Sequence, residues 1–326
     1  MNRRDIMTAA FALPLLWTPA APVAAQDAWP SRVVKIVVPF PAGGPTDIYA
    51  RMAGEILQRK LNLQIVVENK PGAGGNIAAA EVARAAPDGY TLLVGGPSTH
   101  AINQALYARP GFDSVADFEQ IAIIARAPSI ATVHPSVKAA TFQEYVAAIK
   151  SAGKEVPYPM PGIGTTPHLA GELLRARYDL PLKAVAYRGA APALNDAIGG
   201  HVLFMINNVD LALPHVKSGA LRGLAVTSKA RIPALPDVPT MAEVGIPDME
   251  IEVWHIMAAP KGTPRAIVDK LNRAVLEGMN EPATIAKLAE QGVSVDQLDP
   301  DALRAFVVSE RERWGRIVKV SGAKID

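Results

Sequence analysis

The chain repeats one unit along its length: an apolar run short enough for a strand, a turn crowded with glycine and proline, then an amphipathic helix. Val34, Ile36 and Val38 lead into Pro39-Phe40-Pro41-Ala42-Gly43-Gly44-Pro45-Thr46-Asp47, after which Ile48, Met52 and Ile56 recur at helical spacing. Gln64–Val67, the turn Lys70–Gly75 and the alanine-rich Asn76–Ala86 repeat that order, and the strand Tyr90–Val94 ends at Gly95-Gly96-Pro97-Ser98-Thr99. A second set begins near Ile130. In it Tyr187–Pro192 opens a helix ending at Gly199-Gly200, followed by strand Val202–Ile206, Asn207-Asn208, a short helix closed by Gly219, and strand Leu221–Val226. This alternation predicts parallel sheets with helices on their faces. Pro233, Pro236, Pro239 and Pro247 mark a crossover, and the chain is then helical from Pro264, with a last helix over Pro300–Val320. The expected fold is α/β with two lobes, residues 26–126 plus 229–326 and residues 127–228, each a mostly parallel sheet flanked by helices. Ligands in such sheets sit beyond the carboxyl ends of the strands, here in the cleft between lobes.

The N-terminus reads as a targeting segment over residues 1–25: Arg3 and Arg4, an apolar run from Ile6 to Trp17, and small residues ending at Ala25. The run is too short and too interrupted by proline to span a membrane. An exported, periplasmic protein is therefore expected, and Arg3-Arg4 suits the twin-arginine and the ordinary secretory routes alike. The absence of cysteine removes disulfides, thiolate metal sites and thiol catalysis. A formal net charge of +2, with lysines and arginines spread singly, gives no footprint for nucleic acid. The six histidines show no metal-ligand spacing, Gly72-Ala73-Gly74-Gly75 lacks the third glycine and the acid of a dinucleotide turn, and neither a Walker lysine nor a Gly-x-Ser-x-Gly elbow is present. No cofactor and no metal are expected.

Four turns fall at predicted strand ends: Phe40–Asp47, Gly95–His100, Tyr158–His168 and Tyr187–Pro192. The first leaves the outward N–H groups and positive dipole end of a helix facing the turn, a seat for an anion with no lysine, cysteine or histidine in it. The third is a second such seat, Gly162-Ile163-Gly164-Thr165-Thr166-Pro167, with Thr166 the expected N-cap and Pro167 the first helical residue. If the two face each other, backbone N–H groups from both sides can hold one small carboxylate. Asp47 is expected to cap its helix or hold a water, since a carboxylate there would repel an anion. His134 and His215 read as structural, whereas His100 ends a strand and His255 follows Trp254 in an apolar segment, which makes them candidates for ligand contact.

These segments are also the ones that resemble the Bug-type solute-binding proteins of tripartite tricarboxylate transporters, along essentially the whole mature length. The matching blocks are Val37–Asp47, Val67–Asn76, Ala85–Leu93, Gly164–Glu172, Tyr187–Ala193, Leu213-Pro214-His215 and Leu235–Thr240. The resemblance implies a monomeric, two-lobed periplasmic binding protein of type II-like fold that closes on a small carboxylate ligand and passes it to integral-membrane transporter subunits, without catalysis. It also implies that the turns matching Phe40–Asp47 and Gly164–Thr166 grip one carboxylate, partly through water, with His168 as helix-start structure. The ligand-binding set expected on both grounds is Phe40, Gly44, Thr46, Asp47, Ser98, His100, Met160, Gly164, Thr165, Thr166, Ala190, Asn207 and His255. Met160, Pro161, Asn207 and His100 depart from the family pattern. An apolar wall at Met160 and the loss of an acid at Asn207 point to a carboxylate with an apolar or aromatic body and no amino group nearby, its second polar end beside His100 or His255. Two rival readings use the same fold: an exported α/β enzyme acting on a small acid with His100 or His255 as base, and a receptor domain that reports a ligand to a membrane sensor.

Overall fold

The computed structural model describes residues 29–323 and 325, so the targeting segment expected over residues 1–25 lies outside the described residues. Arg32–Asp326 is one compact unit, and the description below concerns it alone.

The first unit folds as the sequence pattern predicts. Strand β1 (Val34–Val38) ends at the turn, helix α1 (Pro45–Leu61) follows, and then come β2 (Ile65–Asn69), α2 (Asn76–Ala83) and β3 (Thr91–Gly95). Strand β1 lies parallel between β2 and β3. Beyond β3 the chain winds through a π-helical turn, Ser98–Ile102, into the short helix α3 (Asn103–Leu106). The next strand is β4 (Phe118–Val133), sixteen residues long. Helix α4 (Phe142–Ala152), β5 (Val156–Met160), α5 (Thr166–Tyr178), β6 (Leu182–Ala186), α6 (Ala190–Ile198), β7 (Phe204–Asn208), α7 (Val209–Lys217) and β8 (Arg222–Val226) make the second set. The chain returns along β9 (Glu252–Pro260) and finishes with α8 (Arg265–Met279), α9 (Pro282–Glu290) and α10 (Pro300–Ser321).

The two sheets are less parallel than the alternation implies. Strands β2-β1-β3 and β5-β6 run parallel, but β9 runs antiparallel to both β3 and β4, and β7 and β8 pair antiparallel with β4. Strands β2-β1-β3-β9-β4-β7, with β8 also on β4, therefore form one mixed seven-stranded sheet. The long antiparallel pair β4 and β9 escapes sequence reading because both strands are buried on both faces. Nearly every residue of each is apolar or fully covered, so the period-two alternation that marks a half-exposed strand is missing.

The C-terminal helix locks this arrangement. Asp299 caps α10 by accepting from the Ala302 N–H at 2.8 Å, Pro300 opens it, and Gly322 ends it with a left-handed φ of 67°. Leu303, Val307, Trp314 and Val318 line its buried face and enter the same core as Trp254 and Ile256 of β9 and Leu169 and Leu173 of α5. Helix α10 thus packs on α5, on β4 and on the π turn after β3.

Candidate functional site

Several strand ends and helix starts meet around one cavity of about 140 Å³. At roughly 10–15 Å³ for each water in this measure, the space holds about ten waters or one small organic molecule. Phe40–Ala42 and Gly44–Thr46 contribute from the turn before α1, Gly96–Ser98 from the end of β3, Pro161 and Thr165–Pro167 from the start of α5, and Arg188–Pro192 from the start of α6. Asn207 and Asn208 at the end of β7 and Val253 and His255 of β9 complete it.

Four helices, α1, α5, α6 and α7, direct their N-termini at this space. Their N-cap residues are Gly44, Thr165, Gly189 and Asn208, and none makes a side-chain cap hydrogen bond. The first N–H groups of a helix have no partner within it, so uncapped ends leave donors and partial positive charge at the cavity. Thr165, one residue earlier than expected, is the N-cap of α5, and its hydroxyl donates to the Gly162 carbonyl at 2.7 Å in place of capping. Among the described residues Arg188 is the only charged side chain that lines the cavity, and it is exposed at the rim.

The turns are held rigid by bonds on their far sides. Asp47 accepts from the Gly43 N–H at 3.0 Å, from Arg51 Nε and Nη2 at 3.1 and 2.9 Å, and from Asn69 Nδ2 at 3.0 Å. Burial alone would raise its carboxyl pKa, but the bonds from Arg51, Gly43 and Asn69 outweigh burial and hold it below the ordinary value. Asn69 Nδ2 also donates to the Phe40 carbonyl at 3.0 Å, which ties the turn to β2. On the opposite side the Gly164 N–H donates to His168 Nδ1 at 3.3 Å. Gly164 itself has a φ of 76°, and a Cβ there would lie 2.6 Å from Asn103 Oδ1 of α3. Gly189, at a φ of 108°, brings the turn before α6 against Pro41, where a Cβ would sit 3.4 Å from the proline ring. Gly189 thus lets the turns before α6 and α1 approach each other, and Gly164 lets its turn pack closely on α3.

Of the residues singled out in the sequence, Phe40, Gly44, Thr46, Ser98, Thr165, Thr166, Ala190, Asn207 and His255 line the cavity together. Asp47, His100, Met160 and Gly164 do not. Asp47 and Gly164 shape the turns from behind. Met160 alternates with Tyr158 on the core face of β5, among Leu169 and Leu173, so Pro161 forms the wall that was expected from Met160. His100 lies on the far side of Gly96, fully buried against Phe118 and Trp254 at ring separations of 5.7 and 6.3 Å, its Nδ1 paired with Thr99 Oγ1 at 2.9 Å. The π turn is the reason: Ser98 meets the cavity, and two residues later the side chain meets the core. Lining residues outside the expected set include Pro41, Pro97, Pro161, Arg188, Asn208 and Val253. Most adjoin a residue that was named, and strand alternation around His255 would have added Val253.

His255 is 2% exposed, and neither ring nitrogen has a hydrogen-bond partner in the protein. Burial pushes its pKa down to about 3, so the ring is neutral near pH 7. It packs 4.8 Å from the ring of Tyr49, whose hydroxyl donates to Asp210 Oδ2 at 2.7 Å. Burial, followed by the Asp210 charge, raises the Tyr49 pKa, and burial also raises that of Asp210 against the bonds it receives. Among the described residues no carboxylate is bonded to His255 to orient its ring for proton transfer. Among the described residues no cluster of histidine and acid could hold a metal, and no helix is long and apolar enough to cross a membrane.

Comparison with known proteins agrees with this architecture. Residues 49–323 match the family model described as tripartite tricarboxylate transporter family receptor. Protein BugT of Bordetella pertussis is 36% identical over 307 residues, covering 94% of each chain. A Rhodopseudomonas palustris protein solved with adipate superposes with a TM-score of 0.86 at 35% identity, over 90% of this chain and 98% of its own. MatC from Rhodopseudomonas palustris, solved with bound malate, gives 0.84 at 32% identity, over 89% of this chain and all of its own. An α/β unit with a mixed sheet, a cavity at helix N-termini and family identity across most of the chain agree: the protein belongs to the receptor family of the tripartite tricarboxylate transporters.

Proposed function

We propose that this protein is a periplasmic receptor that captures a small organic carboxylate and delivers it to a membrane transporter of the tripartite tricarboxylate type, without chemical conversion. The observation that carries this reading is the convergence of four uncapped helix N-termini on one cavity whose only charged lining side chain, among the described residues, stands exposed at the rim. Backbone N–H groups and helix dipoles suit a carboxylate, and in a shielded space such donors act strongly. The α1 start at Gly44–Thr46 and the α5 start at Thr165–Thr166 hold the carboxylate from opposite sides, and Asp47 and Gly164 keep those turns in place. Malate and adipate in the related structures support the ligand class. Residues 26–126 plus 229–326 act as one lobe and residues 127–228 as the other, closing on the ligand by its contacts with both.

The reading is tested by thermal denaturation of the mature protein against a panel of small mono- and dicarboxylic acids, followed by titration calorimetry. A matching acid at a hundred times its dissociation constant stabilises the fold by about 2.7 kcal/mol. A panel in which amines and sugars stabilise the protein and no carboxylic acid does so would refute it.

A further inference from the structure

The carboxylate reading concerns one end of the ligand; Asn207 and His255 bring side-chain chemistry of their own to the cavity. Asn207 is 2% exposed, and its Oδ1 accepts from the Asn208 N–H at 2.8 Å. That bond fixes the side-chain amide, so the polar group left over is Nδ2, a donor that is shielded from solvent and has no partner. His255 contributes two more unpartnered atoms. A neutral imidazole offers one donor and one acceptor. A buried polar atom left without a partner is costly, so a ligand that sets hydrocarbon against these atoms is penalised.

Charge selects further. Tyr49 of α1 faces His255 and is bonded to Asp210 of α7, which places an acid behind this corner. A second carboxylate there would be brought close to an existing acid. An ammonium would meet the Nδ2 donor of Asn207.

Resting on the carboxylate reading above, we infer that the ligand is a monocarboxylate whose far end bears an uncharged hydrogen-bonding group, a hydroxyl or a carboxamide, held between Asn207 and His255. Such a group accepts from Asn207 Nδ2 and donates to the bare imidazole nitrogen. A carboxylate can only accept.

Titration calorimetry on the mature protein at pH 8 tests this with straight-chain acids of four to eight carbons, each length supplied with a methyl, hydroxyl, carboxamide, carboxylate or amino group at the far end. At the best length the hydroxy acid or the half-amide binds at least about tenfold tighter than the plain acid, the diacid and the amino acid. Asn207→Leu brings it down to the affinity of the plain acid, and Asn207→Asp, which turns the donor into an anionic acceptor, moves the preference towards the amino acid. Tighter binding of the diacid, the plain acid or the amino acid to the unmodified protein would overturn the inference while leaving the carboxylate reading intact. If no acid of any kind binds, the carboxylate reading fails and this inference falls with it. Because the comparison between ligands is made on the unmodified protein, it stands even if a variant does not fold.

Discussion

The two faces of β9 are built from alternate residues of one short segment, yet they treat polar atoms in opposite ways. On the core face the indole of Trp254 donates to Glu310 Oε2 at 2.8 Å, and the same carboxylate group accepts from Trp314 at 3.1 Å and from Arg313 at 3.1 Å. On the cavity face His255 is as deeply buried and makes no hydrogen bond within the protein. A buried polar group that is paired secures the fold, and one left unpaired needs another explanation. Here Asn207 and His255, which carry unpaired atoms, both line the cavity. His100 is the instructive intermediate: it sits on the core side, bonded through Nδ1 but bare at Nε2, and its role is packing.

The contrast can be broken most forcefully on the core face. Trp314→Ala removes a fully buried indole that seats α10 in the core shared with β9 and should cost about 3–5 kcal/mol. Thermal denaturation should register a fall of roughly 10 °C, and a melting temperature unchanged by the substitution would mean that the core face does not hold the fold. The two buried histidines come next. Both have pKa values pushed down by burial to about 3, from an unfolded value near 6.5. Below pH 6.5 the unfolded chain takes up protons that the folded chain refuses, so stability is level above 6.5 and falls as the pH drops from 6.5 towards 3. Each ring contributes at most about 1.4 kcal/mol per pH unit. Urea denaturation across that window should show a shallower slope for the paired substitutions His100→Gln and His255→Gln, and an unaltered slope would contradict neutral burial.

On the cavity face the expected effects are on binding. Ala190→Asp places a carboxylate at the start of α6, where an acid favours the helix, and it should weaken carboxylate binding by about tenfold or more while the melting temperature holds. Equal affinity would mean that this end of the cavity does not meet the anion. Asp47→Asn has the smallest effect. It weakens the bonds to Arg51, Gly43 and Asn69, and chemical denaturation should find a loss of about 1 kcal/mol.

Much of the fold was legible in the sequence because glycine and proline mark the turns and because half-exposed helices keep their apolar period. The two turns before α1 and α5 could be placed, as could the helices that follow them. What could not be read was β4 with β9, whose burial on both faces erases alternation, and with it the mixed direction of the sheet. The same loss explains the site residues that moved. Whether Met160 or Pro161, and His100 or Ser98, meets the cavity is a question of side-chain direction, which depends on the strand phase and on a π turn that sequence spacing does not reveal. Asn207 and His255 were found by position, but that their polar atoms lack partners became visible only once their neighbours were in place.

The donors at the helix starts belong to the main chain. An amide N–H neither titrates between pH 4 and 9 nor disappears when its side chain is exchanged, unless the newcomer is proline. A carboxylate seat built this way tolerates substitution at nearly every position that forms it. The polar groups of Asn207 and His255, by contrast, belong to side chains and can be rewritten one residue at a time. Such a receptor can therefore change what it carries without relearning how to hold an acid.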